Sequence, residues 1–394
     1  MRNFIFCILL SCCMLSCGGR YAGIPESYHA LLDEALVNAG ENRGEMERAL
    51  EQAPKDQREG MAFLVAYMPA NDLTTLKADY LLANVALAYE ARNRFAWAKE
   101  VPMELFLNDV LPYANANEVR DDWRADFYER FAPYVAECKT LREAVIAINS
   151  NAHGELGVEY STARRRADQS PPESLELGIA SCTGLSILLT DAFRSVGIPS
   201  RLAGTIWSDD RGNHTWSEVW VDGTWYFTEY YFADLDNAWF LSSAGKAIAG
   251  DPKYGIYAAS YKPTEIEARL AWHSGGVQTP AYEVTQRYLD IYNTVYQGQL
   301  EDGNHVTLRV KAFADKAHTT RSEDRVKVNV DVFRADGLQI GGGSTAGPTQ
   351  DMNDVLEFMV EKGVEYTVKY FPGGQERAEV VKVGDQPVEV TLFP

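Results

Sequence analysis

The stretch NHTWSEVWVDGTWYFTEYYF, Asn213 to Phe232, constrains its own folding more than any other part of the chain. Two runs rich in Trp, Val, Tyr and Phe alternate at period two around Asp222-Gly223, and an Asp-Gly pair between such runs closes a two-residue hairpin. The turn sets the register: Val221 faces Thr224, Trp216 faces Glu229 and His214 faces Tyr231. Residues directly opposite share a face, so His214 and Glu229 become diagonal neighbours, about 7–8 Å apart at the backbone and within side-chain reach. Trp216 and Glu218 share that face. Trp216 is the candidate wall of a groove, whereas Glu218 lies too far along the strand to carry protons for His214 and reads as structural. Asp234 and Asp236 have the opposite parity and fall beyond the expected strand end.

A histidine beside a carboxylate invites a nucleophile, and one cysteine is well placed to be it. Cys182 opens the apolar-periodic segment CTGLSILLTDAFRSVG after Ser181, an N-cap residue, and Gly197 with Pro199 ends it. A thiol in the first turn of a helix sees the positive end of the macrodipole and backbone N–H groups, which favour the thiolate and could hold an oxyanion. The plainer readings are a small buried hydrophobe, or one half of a disulfide with Cys138, the other cysteine of the folded body. Cys138 itself reads as a mid-helix residue in ERFAPYVAECKTLREAVIAI.

The run from Gly178 through Ser181-Cys182 to Ala192-Phe193-Arg194, Gly197-Ile198-Pro199 and Arg201, followed by His214-x-Trp216-x-Glu218-Val219, Gly223, Trp225 and Glu229, resembles the transglutaminase-like superfamily of papain-related thiol enzymes. The likeness is carried by the segment around Gly178 to Glu229 and extends more loosely to Tyr160 and to the SYKPT and YEVTQRY segments. FLNDVLPYANANEVRDDWR is similar to the flanks of secreted bacterial members. The resemblance implies that Cys182 is the nucleophile, His214 the general base and acid, and Glu229 the orienting carboxylate, a position usually held by Asp, with Asp234 as the substitute. It implies hydrolysis or acyl transfer at amide bonds of peptides or proteins through a Cys182 thioester, with hydrolysis favoured because nothing in the sequence marks an amine site. Non-catalytic relatives imply the alternative, an inactive surface module that binds peptide or glycan.

The rest of the chain supplies the setting. Residues 18–148 read as helical, 149–275 as an α/β-alternating catalytic domain, 276–302 as a connector, and 303–394 as strands at period two, similar to an immunoglobulin-like or transthyretin-like sandwich. The fold class expected is α+β. The amino-terminal segment, 1–17, resembles a lipoprotein signal peptide: Arg2, a short apolar run, then Leu15-Ser16-Cys17-Gly18, which implies acylation of Cys17 and a membrane-anchored protein of the cell envelope. The net charge of −19 excludes nucleic acid as a partner. No Cys/His pairing pattern points to a metal, and no cofactor is implied; Asp209, Asp210 and Asn213 lack the spacing of a calcium loop and suit a turn. The Arg164-Arg165-Arg166 run ahead of the nucleophile helix reads as a solvated loop that could favour acidic peptides.

Overall fold

The computed structural model describes residues 20–208, 212–232, 234–268, 279–300 and 303–394. The signal-peptide and Cys17 readings, and the turn at Asp209 and Asp210, lie outside these residues. Among the described residues, no helix is long and apolar enough to cross a membrane. The chain divides into two compact units, Met1–Ala78 and Asp79–Pro394.

The first unit carries helices α1 (His29–Asn38), α2 (Arg43–Gln52), α3 (Arg58–Ala66) and α4 (Ala70–Thr75). Leu32, Leu36, Met46, Met61 and Leu64 are buried in it. The buried Asn42 donates to the carbonyls of Leu73 and Leu76, supplying partners that the end of α4 would otherwise lack. Its last residue, Ala78, begins α5 (Ala78–Arg94).

In the second unit α6 (Ala96–Lys99), α7 (Met103–Asp109), α8 (Arg124–Val135) and α9 (Leu141–Leu156) precede a short parallel pair, β1 (Glu159–Tyr160) with β2 (Ile179–Ala180), separated by α10 (Pro171–Leu177). Helix α11 (Cys182–Ser195) follows, then strands β3 (Ser200–Ile206), β4 (Asn213–Val221) and β5 (Thr224–Thr228). After α12 (Leu241–Ala244) come β6 (Tyr257–Ala259), β7 (Ile266–Ala268), β8 (Thr279–Glu283) and α13 (Thr285–Leu300). The sheet order is β5-β4-β3-β6-β8-β7, antiparallel throughout. The β4–β5 register has Val221 opposite Thr224 and Ser217 opposite Thr228, as the Asp-Gly turn requires.

Every residue of α11 from Thr183 to Ser195 is buried, so this helix is a core element rather than a surface one. One side packs on Phe127, Phe131, Val145 and Ile148 of α8 and α9; the other meets Val219 and Val221 of β4. Its buried hydroxyls are matched to the strand: Thr183 with Thr215, and Thr190 with Ser217, each at 3.0 Å. The alternate residues of β4 face the opposite layer, where Trp216, Phe227, Phe240 and Tyr288 form a second core.

Three expectations change. The boundary at 148/149 falls inside α9, which packs with α8 on α11, so the structural unit around α11 begins well before it. The segment 276–302 is no connector: β8 completes the sheet, and α13 sends Tyr288 into its core. Cys138 sits in the turn between α8, which ends at Val135, and α9, which the Thr140/Glu143 capping box starts, and so is not mid-helix.

The C-terminal strands are β9 (His305–Ala312), β10 (Asn329–Arg334), β11 (Gln339–Ser344), β12 (Leu356–Glu361), β13 (Glu365–Tyr370), β14 (Arg377–Lys382) and β15 (Val388–Leu392). They form two sheets, β11-β10-β13-β14 and β12-β9-β15, that share one core including Leu308, Val310, Val330, Val332, Val360 and Val368.

Glu218 is a fully buried carboxylate at the centre of the six-stranded sheet. Arg201 on β3 contacts its Oε2 through both Nε and Nη2 at 2.8 Å, the Tyr288 hydroxyl donates to Oε1 at 2.7 Å, and the guanidinium lies 3.9 Å from the Trp225 ring centroid. Removing the cation strands a charge with no access to water. Arg201→Ala is expected to cost about 3–5 kcal/mol in urea unfolding, and the double variant Arg201→Leu/Glu218→Leu is expected to recover part of that loss.

Candidate active site

The amino end of α11 is fixed from three sides. Ser181 caps it, its Oγ accepting from the Gly184 amide at 3.0 Å and donating to the Ala167 carbonyl. Gly184 has no room for a side chain, since a Cβ there would meet that of Ala180 at 2.9 Å. Ser186 Oγ bridges the carbonyls of Cys182 and Thr215, at 2.8 and 3.0 Å, tying the first turn to β4. Cys182 is therefore held at the positive end of the helix beside the start of β4, where His214 lies.

The His214 ring is 3% exposed and enclosed by Trp207, Trp239 and Phe240. Its Nε2 donates to Glu229 Oε1 at 2.6 Å, and Asn149 of α9 holds Glu229 by donating to its carbonyl at 2.7 Å while accepting from the Thr228 hydroxyl. Asp234 lies elsewhere, on a separate pocket with Arg142 and Asn149. Trp216 is fully buried beneath His214, stacked on Phe240 and donating to Tyr288, so it supports the site from below. Trp239 takes the wall position instead. Cys138 and Cys182 are both free thiols. Of the arginine run, Arg166 is paired with Glu173 and none of the three lines the cavity.

A fourth residue completes the cluster. Asp351, on the loop between β11 and β12, places Oδ2 3.5 Å from His214 Nδ1, and both atoms are buried without a hydrogen bond. Cys182 Sγ, His214 Nδ1 and an Asp351 oxygen lie within 4.8 Å of one another. The loop is anchored on the segments around α11 and β4: the Tyr160 hydroxyl accepts from the Met352 amide, the Tyr231 hydroxyl donates to the Thr349 carbonyl, and Asn353 donates to the Asn213 carbonyl at 2.7 Å. Asp351 Oδ1 accepts from the amide and side chain of Asn353. Nothing in the local sequence around Asp351 marks it, because its role arises from packing across a long stretch of intervening chain.

These residues border a cavity of about 500 Å³ whose lining includes Tyr160, Cys182, His214, Glu229, Trp239 and Asp351. Burial of the His214 ring would lower its pKa, but Asp351, Cys182 and Glu229 outweigh it and hold the imidazole well above its usual value. Burial would raise the Asp351 carboxyl; the facing imidazole and the Asn353 amide bring it below the usual carboxylate range. Asp354, also on the cavity, is pushed up to about 6 by burial. The arrangement is that of a thiol, an imidazole whose ring is oriented by Glu229, and an additional carboxylate on the thiol side of the ring.

Residues 129–230 match the family model of the transglutaminase-like superfamily. The match includes Cys182, His214 and Glu229, and the resemblance read from the sequence holds over this segment. Among solved structures, the transglutaminase of red sea bream aligns over 67% of this chain at 10% identity and a TM-score of 0.28. The alignment spans 58% of that protein. No curated protein matches the chain.

The charges on His214 and Asp351 should be visible in stability. A histidine whose folded-state pKa is raised contributes stability that is full below its unfolded value, about 6.5, and that is lost as pH rises through the folded value. The Asp351 contribution, from a lowered carboxyl, is present above about pH 3.9 and is lost in acid. Asp351→Asn and Glu229→Gln are therefore expected to destabilise most between about pH 4 and 6.5, and to lower the His214 pKa in an NMR titration. An unchanged His214 titration in Asp351→Asn would contradict this electrostatic assignment.

Proposed function

We propose that the protein is a cysteine enzyme that cleaves or transfers acyl groups at amide bonds of peptides or proteins. The observation that carries the reading is the convergence of Cys182, at a helix amino terminus, on a buried His214 whose far nitrogen is held by Glu229. The raised His214 pKa favours a resting ion pair in which Nδ1 already holds the thiol proton while Nε2–H remains on Glu229, which keeps the ring oriented and stabilises the imidazolium. The thiolate attacks the amide carbonyl, and the first-turn amides and helix dipole favour the oxyanion. Collapse of the tetrahedral intermediate breaks the C–N bond; the amine leaves with the proton from His214. Water or an amine, deprotonated by His214, then resolves the thioester.

The charge of the cavity bears on substrate choice. Glu159, Glu229, Asp351 and Asp354 line it, against His153 and His214. This lining favours a cationic group near the scissile bond over an acidic one, reversing the preference suggested by the arginine run. For cell location we keep the reading of the amino-terminal segment: a chain tethered to a membrane of the cell envelope through acylated Cys17.

The test is alkylation of Cys182 near neutral pH, followed by mass spectrometry of its peptide. Cys182 is expected to react at least tenfold faster than Cys138, and His214→Ala to slow it on the order of 100-fold. Slow labelling that His214→Ala leaves unchanged would refute the enzyme and favour the inactive binding module.

A further inference from the structure

We propose that Cys182, His214 and Asp351 form a binding site for a soft divalent cation, with Zn²⁺ as the best-suited ion, and that occupation takes the nucleophile out of action. The inference goes beyond the proposed chemistry, and the binding event does not depend on turnover.

Three features support it. First, the donor set is one thiol, one imidazole nitrogen and one carboxylate oxygen, the ligand types zinc accepts and a set unsuited to Mg²⁺ or Ca²⁺, which require oxygen ligands. Second, the atoms are close, and none of their contacts is a full hydrogen bond. His214 Nδ1 and Asp351 Oδ2 are buried with no hydrogen-bond partner, and they face each other at 3.5 Å. Tetrahedral zinc with bonds of about 2.0–2.3 Å places neighbouring ligands about 3.3–3.6 Å apart, so this pair already stands at the required spacing. Cys182 Sγ is within 4.8 Å of both, so closing onto an ion calls for a shift on the order of 1 Å of one side chain. Third, His214 donates its other nitrogen to Glu229, the arrangement by which a carboxylate fixes the ring of a metal-binding histidine. All three residues line the cavity of about 500 Å³, which gives an ion access and would leave room for a water ligand.

Two parts of the second unit share the site. Cys182 and His214 come from the six-stranded layer and its buried helix, Asp351 from the loop joining the two C-terminal sheets. A Cys–His pair alone offers two ligands, and Asp351 supplies the third, so it determines affinity.

The full chain is titrated with Zn²⁺ while alkylation of the Cys182 peptide is followed, because Cys7, Cys12, Cys13 and Cys17 of the amino-terminal segment could also bind zinc and the readout must be specific to this site. Micromolar Zn²⁺ is expected to slow Cys182 alkylation at least tenfold, with recovery on adding a chelator, no effect of Mg²⁺ or Ca²⁺, and no protection of Cys138. Asp351→Asn and Asp351→Ala should each need at least tenfold more Zn²⁺ for the same protection, whereas Glu267→Gln, at an exposed carboxylate on β7 outside the cavity lining, should behave as wild type. As a second measurement, Co²⁺ should give a thiolate charge-transfer band that diminishes in Cys182→Ser and in Asp351→Ala. Absence of protection at 100 μM Zn²⁺, or the same zinc dependence in both Asp351 variants as in wild type, overturns the proposal. Fast, His214-dependent labelling that zinc leaves unchanged would overturn it while leaving the thiol chemistry intact.

Discussion

The site depends on the burial of α11. A helix enclosed on one side by α8 and α9 and on the other by β4 cannot slide or rotate without opening the core, so the sulfur at its first turn is placed by the packing of the whole helix. The hydroxyl pairs Thr183–Thr215 and Thr190–Ser217 fix its register against the strand that carries His214. Buried polar pairs of this kind contribute modestly when made and cost more when one partner is lost, which suits them to setting alignment. Cys182 and His214 are thus positioned by the same interface.

The second constraint lies on the other face of the sheet. The chain Arg201–Glu218–Tyr288–Trp216 runs through the buried layer directly beneath His214, each polar atom meeting a partner. Glu218, which shares the histidine's face, is occupied there and takes no part in proton transfer. Its value is that Trp216 and Phe240 present a firm floor to the imidazole, leaving Glu229 to set the ring orientation.

What could be read from the sequence was what local rules control. The Asp-Gly turn determines the β4–β5 register, so the pairing of His214 with Glu229 followed from counting residues, and Ser181, Gly197 and Pro199 bounded the nucleophile helix. The transglutaminase-like resemblance was likewise legible because its residues are concentrated in one stretch. Trp216 and Trp239 could not be sorted, since parity says which face a residue occupies but not how deep that face is buried. The 276–302 segment was misjudged because a short strand and a single helix carry little pattern until the sheet they complete is known.

Asp351 was out of reach for a different reason: its place at Cys182 is a property of domain packing. Tyr160, Tyr231 and Asn213 hold the 349–353 loop, and Glu323 accepts hydrogen bonds from Ser161, Thr162 and the Ala163 amide at a second contact. Those hydrogen bonds, against the cost of burying Glu323, bring its pKa down to about 2, so this tether stays charged and intact through the acidic range. The β-sandwich therefore does more than accompany the thiol domain. By delivering a buried carboxylate to the thiol side of His214, it adds a charge that the Cys–His–Glu arrangement alone does not have, and it makes the chemistry of Cys182 sensitive to whatever moves or neutralises that carboxylate. On the proposed chemistry, a proton, a cationic substrate group and a metal ion would all act on the same oxygen, so they would compete for it.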